Sequence, residues 1–203
     1  MNLLTQNSKL KKTSLHFNER VFNFSIPAYK SKTGKTVCPF ASDCVKYCYA
    51  QKGNYTRFPK IGELMEQRYE ISKTISFVPL MIAEIKKKKA TYIRIHDSGD
   101  FYSPKYLNKW LEIARACKDV KFYAYTKSHN FFRSKIELPN NFDIIFSEGS
   151  KLDNQLDKAN ERHASIFNSL DELKNAGYIN ASDFDLYATK WHNKTNNVGL
   201  VYH

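Results

Sequence analysis

The sequence predicts an α/β fold, an open, partial parallel β/α barrel of about six units. Three observations carry this expectation. Strand-like and helix-like segments alternate from residue 91 onward. The residues able to do chemistry fall just after the strand-like segments. The 203 residues suffice for one substantial core but hold too few units for a closed eight-stranded barrel. Strands alternating with helices require right-handed crossovers and so a parallel sheet, whose C-terminal strand ends gather the chemistry.

Residues 1–20 show little pattern and read as an N-terminal arm, leaving 21–203 as a single domain. Val21 to Ala28 (VFNFSIPA) alternates apolar and polar positions and ends at Pro27, the pattern of a first strand. A lysine-bearing link then leads into a cysteine loop, which Gly53 and Pro59 punctuate at its exit. Helices are expected from Ile61 to Ile75, with Leu64, Met65, Tyr69 and Ile71 near one face, and from Phe77 to Lys89. The latter has Pro79 in its first turn and lysines where they favour the helix dipole.

Thr91 to His96 (TYIRIH) is the second strand. Ser103 and Pro104 then cap a helix running to Cys117 along Leu107, Trp110, Leu111 and Ala114. Lys121 to Thr126 (KFYAYT) and Phe142 to Ser147 (FDIIFS) are further strands, separated by a short helical or irregular segment over Phe131 to Ile136. Ala164 to Asn168 is a fifth strand. Ser169 with Glu172 opens a helix that Gly177 stops, and Asn197 to Tyr202 closes the chain as a sixth strand.

Lys and Arg number 32 against 20 acidic residues, a net charge of +12, which favours nucleic acid or another anionic partner. The run Lys86–Lys89 reads as a solvated helix end. With 13 Tyr and 14 Phe the chain is no disordered polyelectrolyte. No segment is long and apolar enough to span a bilayer and no charged start precedes an apolar run, so no membrane association and a cytoplasmic location are expected.

Three of the four cysteines, Cys38, Cys44 and Cys48, stand on one loop at C-x5-C-x3-C spacing. Structural zinc normally takes four protein ligands. A three-cysteine loop better suits an iron–sulfur cluster with one iron open to a small molecule. Cys117 belongs on the buried face of its helix, and a reducing compartment suits all four thiols better than disulfides. His203 at the end of the sequence could supply a cluster ligand or nothing at all, and no ligand role is expected of it.

The turn His96-Asp97-Ser98-Gly99-Asp100 packs an imidazole, two carboxylates and a hydroxyl around a glycine that lets a ligand approach the backbone. Asp97 or Asp100 can hold an amine or ribose hydroxyls there. Equally, Asp100 and Ser103 can serve as turn and cap residues. Lys127 and Ser128 after the third strand offer a cation and a hydroxyl, with a solvent-facing lysine as the plainer alternative. Ser147 and Glu148 hold the corresponding place after the fourth.

These motifs resemble a family. The loop ending Cys48-Tyr49-Ala50, the stretch Arg94 to Tyr102, Tyr106 and Trp110, Phe122 to Ser128, and the ending Val198 to His203 resemble the phage family named after mycobacteriophage gene product eighty-eight. The resemblance covers roughly residues 22–203 and implies a phage or prophage origin. More distantly, the arrangement is similar to radical S-adenosylmethionine enzymes, which carry a three-cysteine loop after the first strand of a partial barrel. Those enzymes bind a [4Fe–4S] cluster with S-adenosylmethionine on the open iron. Their usual spacing is C-x3-C-x2-C, from which this chain departs. The similarity implies that Ser98, Gly99 and Asp100 stand where such enzymes hold the methionine amine. The leading expectation is therefore a cluster protein with an open-iron site acting on an unknown target. The alternative is a non-catalytic, metal- or cluster-stabilised protein that binds nucleic acid or a host protein.

Overall fold

The computed structural model describes residues 2–133 and 136–202. Seven strands, β1 (Val21–Phe24), β2 (Tyr92–Ile95), β3 (Lys121–Thr126), β4 (Phe142–Ser147), β5 (His163–Phe167), β6 (Ile179–Asn180) and β7 (Asn197–Val201), form one sheet in the order β1-β2-β3-β4-β5-β7-β6. Every pairing is parallel. The sheet curls into an open half-barrel with helices between its strands, as the sequence predicts. The helices are α1 (Ser8–Phe17), α2 (Cys44–Tyr47), α3 (Asn54–Arg57), α4 (Pro59–Lys73), α5 (Phe77–Lys88), α6 (Pro104–Ala116), α7 (Asn130–Arg133) and α8 (Leu170–Asn175).

The strand periodicity sorts two cores. Ile93 and Ile95, Phe122 and Ala124, and Phe142, Ile144 and Phe146 face the helices, where they meet Met81 and Ile85 of α5 and Leu107 and Trp110 of α6. The intervening residues Tyr92, Tyr123 and Ile145 face the concave side with Ala164 and Val198. Ser103 caps α6 by accepting from Tyr106 N at 3.2 Å, and Ser169 caps α8 by accepting from Glu172 N at 3.1 Å. Gly199 of β7 lets α8 lie close, since a Cβ there would stand 2.4 Å from Leu173.

Five features differ from the sequence reading. Residues 1–20 contain α1, capped by Asn7, whose side chain accepts from Leu10 N at 2.9 Å, and Thr5 pairs with Asn23 of β1. The first strand stops at Phe24 rather than Ala28: β2 ends at Ile95, His96 turns left-handed (φ 67°), and beyond it Ile26 N still donates to Ser98 O at 3.1 Å. The two-residue strand β6 carries too short an alternation to be read. Of the expected segment 131–136, α7 covers Asn130–Arg133 and residues 134–135 lie outside the described residues. Leu64 is also more exposed than expected; Met65, Arg68, Tyr69 and Ser72 form the buried face of α4.

An open half-barrel leaves its concave face without a layer of helices, and here α1 and the 3-10 turn Asp185–Ala188 fill it. Leu10, Leu186 and Ala188 pack on Tyr92, Tyr123 and Ile145. The turn is held by charge. Asp185 is fully buried and takes Arg94 Nη1 at 3.1 Å on both oxygens, Lys9 Nζ at 2.8 Å and the Tyr123 hydroxyl at 2.7 Å. Its backbone N–H donates to Thr13 Oγ1 of α1 at 2.9 Å. Burial by itself raises the Asp185 carboxyl, but the charges of Arg94 and Lys9 outweigh it and hold the group at about 2.

Breaking a buried pair strands the remaining charge and costs about 3–5 kcal/mol. Asp185→Asn keeps the volume but leaves Arg94 and Lys9 without a counter-charge. It is expected to lower the free energy of urea unfolding by roughly that amount, and an unchanged midpoint contradicts the role given to the turn.

Candidate functional site at the C-terminal rim

Because all strands run parallel, the residues that follow them share one rim, and the cysteine loop is fastened onto it. Ser42 N donates to Gly149 O at 3.0 Å, Lys151 N to Phe40 O at 2.8 Å and Lys151 Nζ to Pro39 O at 3.1 Å, while Ala41 bridges to Ser150. At the loop's far side the Tyr49 hydroxyl donates to Asp97 O and the Tyr55 hydroxyl to Asp97 Oδ2, the latter at 3.2 Å. The cysteine loop and the turn around Gly99 therefore meet at the same mouth.

The carboxylates predicted for ligand binding serve first as ties. Asp100 is buried and accepts from Thr126 Oγ1 at 2.6 Å, Phe101 N at 2.7 Å and Lys127 N at 2.8 Å, joining the ends of β2 and β3. Burial pushes its pKa up, against those three donors. Its Oδ2 accepts only Lys127 N of these, so this oxygen retains capacity for one more donor. Asp97 accepts from Ser25 Oγ, from Asn7 Nδ2 at 3.1 Å and from Tyr55. Gly99 has φ 83°, and a Cβ there would stand 2.3 Å from Ile26 Cγ1, so the turn admits no side chain.

Lys127 is clamped through its backbone, its N–H on Asp100 and its carbonyl accepting from Ser150 Oγ at 2.9 Å. Its ammonium is half-buried, is not in an ion pair among the described residues, and acts electrostatically on Cys38, Cys44 and Asp100. Ser128 donates to Phe101 O at 2.8 Å and His129 meets Ser147 O at 3.3 Å, so both are structural ties. Glu148 pairs with Lys158. Ser98 Oγ and His96 Nδ1 are buried without a hydrogen-bond partner among the described residues, whereas His96 Nε2 lies 2.8 Å from the Tyr106 hydroxyl.

All four cysteines are free. Burial raises the thiols of Cys38 and Cys44, and Cys48 interacts electrostatically with both. Tyr29, held left-handed at φ 59°, donates its backbone N–H to Cys38 Sγ at 3.4 Å. Among the described residues no set of three His, Cys, Asp or Glu side chains converges closely enough for a single metal ion. Tetrahedral zinc holds its sulfurs at about 2.3 Å and so draws them together. Cys117 packs in the helix-side core, ahead of β3 and so at the opposite end of the sheet. His203 lies outside the described residues.

A family model described as Gene product 88 matches residues 1–200. The chain belongs to the Gene product 88 family. It is 33% identical over 102 residues to the Gene 88 protein of Mycobacterium phage D29, and 32% identical over 102 residues to that of Mycobacterium phage L5. Each match spans 44% of this chain and 42% of the relative, so less than half of the curated relatives' length is covered. No solved structure matches the chain significantly. None of these comparisons supports the likeness to radical S-adenosylmethionine enzymes. No helix among the described residues is long and apolar enough to cross a membrane.

Sequence reasoning missed the Tyr49, Tyr55 and Asn7 contacts to Asp97 and the Ser150 tie to Lys127. These join residues up to 90 positions apart and leave no local pattern.

His96 supplies a pH test of this rim. Burial, reinforced by Arg94, pushes its imidazole from 6.5 down to about 3. Between those values an unfolded imidazole takes up a proton that the folded one refuses, so stability falls as pH drops from about 6.5 and is unaffected by this group above it. Asn tolerates the left-handed backbone at this position. His96→Asn should therefore lose less stability between neutral pH and pH 5 than the wild type in urea unfolding; equal losses contradict a buried neutral imidazole.

Proposed function

We propose that this protein is a phage-type iron–sulfur cluster protein, with Cys38, Cys44 and Cys48 holding a [4Fe–4S] cluster on the C-terminal rim. A small molecule, with S-adenosylmethionine as first candidate, then sits between the cluster and the His96–Asp100 turn. The observation that carries this reading is the fastening of a three-cysteine loop onto the rim, with the free thiols of Cys38 and Cys44 each within electrostatic reach of Cys48 and of Lys127. Such a cluster, when bound, supplies an iron without a protein ligand and a site for one-electron reduction.

The chain's own residues prepare that place. The Tyr29 N–H supports thiolate character at Cys38, since hydrogen bonds to sulfur tune cluster potentials. Lys127 offsets the negative charge that three thiolates bring. Asp100, fixed by three donors, keeps one acceptor position on Oδ2 for an ammonium group. Tyr49 and Tyr55 stand edge to face with ring centres 5.9 Å apart beside the third cysteine and wall the loop side of the mouth. The C-x5-C-x3-C spacing departs from that of radical S-adenosylmethionine enzymes, so the radical chemistry is the outer edge of the proposal and the cluster its centre. Free thiols suit the reducing cytoplasm of a phage host.

The second reading keeps the cluster as a staple and gives the protein a binding role toward nucleic acid or a host protein; the net charge of +12 favours it. Reductant-dependent turnover of S-adenosylmethionine separates the two.

Protein isolated without oxygen is expected to be brown and to contain iron with acid-labile sulfide. Cys38→Ala, Cys44→Ala or Cys48→Ala should each remove most of the iron, while Cys117→Ala leaves it. Zinc without sulfide, or equal loss from Cys117→Ala, overturns the assignment.

A further inference from the structure

The end of the half-barrel opposite the cysteine rim carries a chemistry that the cluster does not use. Its aromatic rings form one continuous group. Trp191 meets Tyr92 at 5.9 Å between ring centres, Tyr92 meets His192 at 5.9 Å, and His192 meets Phe17 at 4.6 Å. Phe17 contacts Tyr187 at 5.2 Å, and His16 stacks on Phe184 at 4.0 Å with the planes 17° apart. His16 is exposed, while Phe17, Phe184, Tyr187, Trp191 and His192 are half-buried, so the group lies between solvent and the concave-side core, on which Phe17, Tyr187 and Trp191 pack. Leu15 beside it is 85% exposed.

Cations surround these rings for a topological reason. In a parallel sheet every strand starts at the same end, so the residues preceding the strands collect there. Arg20 precedes β1, the run Lys86–Lys89 ends α5 ahead of β2, and Lys118 and Lys121 stand at the start of β3. Lys121 Nζ lies 4.9 Å from the Tyr92 ring centre and 5.6 Å from that of Trp191, and Lys190 Nζ lies 5.2 Å from Trp191. Acidic neighbours are Glu19, Asp119, Asp183 beside Phe184, the buried Asp143 that accepts from Lys190 N, and Glu84, which Lys88 pairs. The lysine run that reads in the sequence as a solvated helix end is thus part of a larger basic surface.

We propose that this end of the half-barrel is a docking surface for single-stranded nucleic acid. The lysines and Arg20 follow the phosphates, and the half-exposed rings stack on unpaired bases. A duplex hides its base faces and gains nothing from the rings, whereas single strands combine both terms, stacking being worth about 1–3 kcal/mol per base. The inference is independent of the cluster, because none of the residues involved is on the cysteine rim.

The test uses the full chain with a fluorescently labelled oligothymidine and a duplex of the same length. Binding should favour the single strand and weaken with added salt. Lys121→Gln, and separately the double change Lys86→Gln with Lys87→Gln, should each weaken it on the order of fivefold and make the salt dependence shallower. Lys32→Gln with Lys35→Gln, on the loop leading to the cysteines, should leave it unchanged. The chain has two tryptophans, of which Trp110 is fully buried and Trp191 half-exposed. Binding should therefore quench tryptophan emission, and Trp191→Phe should bind while showing no quenching. No binding, a preference for duplex, equal loss from the Lys32 and Lys35 changes, or quenching that persists in Trp191→Phe overturns the proposal.

Discussion

The Asp185 carboxylate is the interaction on which the half-barrel rests. A closed barrel fills its interior with side chains from strands on every side, but a sheet that stops at seven strands exposes its concave face. Here the filling comes from outside the sheet, from α1 near the start of the chain and the turn at Asp185–Ala188 near its end. Both are drawn to one point, because Lys9 of α1 and Arg94 of β2 share the same buried carboxylate. An ion pair there is not the cheapest way to fill a core, as desolvation offsets much of its attraction. Its benefit is register, since a charged triad accepts one seating of α1 where apolar contact alone tolerates several.

From that seating the rim follows. The start of α1 places Asn7 against Asp97, and Asp97 in turn receives Ser25, Tyr49 and Tyr55. The plug in the barrel and the position of the cysteine loop are thereby linked through one carboxylate at the end of β2. The neighbouring Asp100 spreads the same logic sideways, joining β2 to β3, and Ser150 carries it on toward β4. The left-handed His96 and the space-limited Gly99 lie in the middle of these ties. Strain of this kind persists only where surrounding contacts over-determine the backbone.

The sheet was legible in the sequence where its information is local. TYIRIH, KFYAYT and FDIIFS are short runs rich in aromatic and β-branched residues, and Ser103-Pro104, Ser169 with Glu172, and Gly177 mark helix ends by the backbone groups they satisfy or the conformation they permit. The parallel direction followed from the alternation of strands with helices, and with it the expectation that the cysteine loop and the Gly99 turn share a rim. What stayed hidden depends on distance along the chain. Residues 1–20 look featureless because α1 is held by Asp185, over 170 positions away. At the site, the cysteine spacing was readable, but the use of Asp100, Ser128 and Glu148 as ties was not, since each partner lies in another loop.

The cysteine loop, set on this rim by carboxylates that answer to the buried triad, is left with three thiols and the neighbouring ammonium of Lys127, which is in no ion pair among the described residues. The claim at the centre is that these three thiols hold a cluster with one open iron. Mössbauer spectroscopy on protein loaded with iron-57 without oxygen, before and after adding S-adenosylmethionine, tests it most directly. A cluster spectrum in which a single iron changes its parameters on addition is the predicted result. A spectrum of isolated iron without sulfide bridging, or a cluster whose irons all remain unchanged, contradicts it.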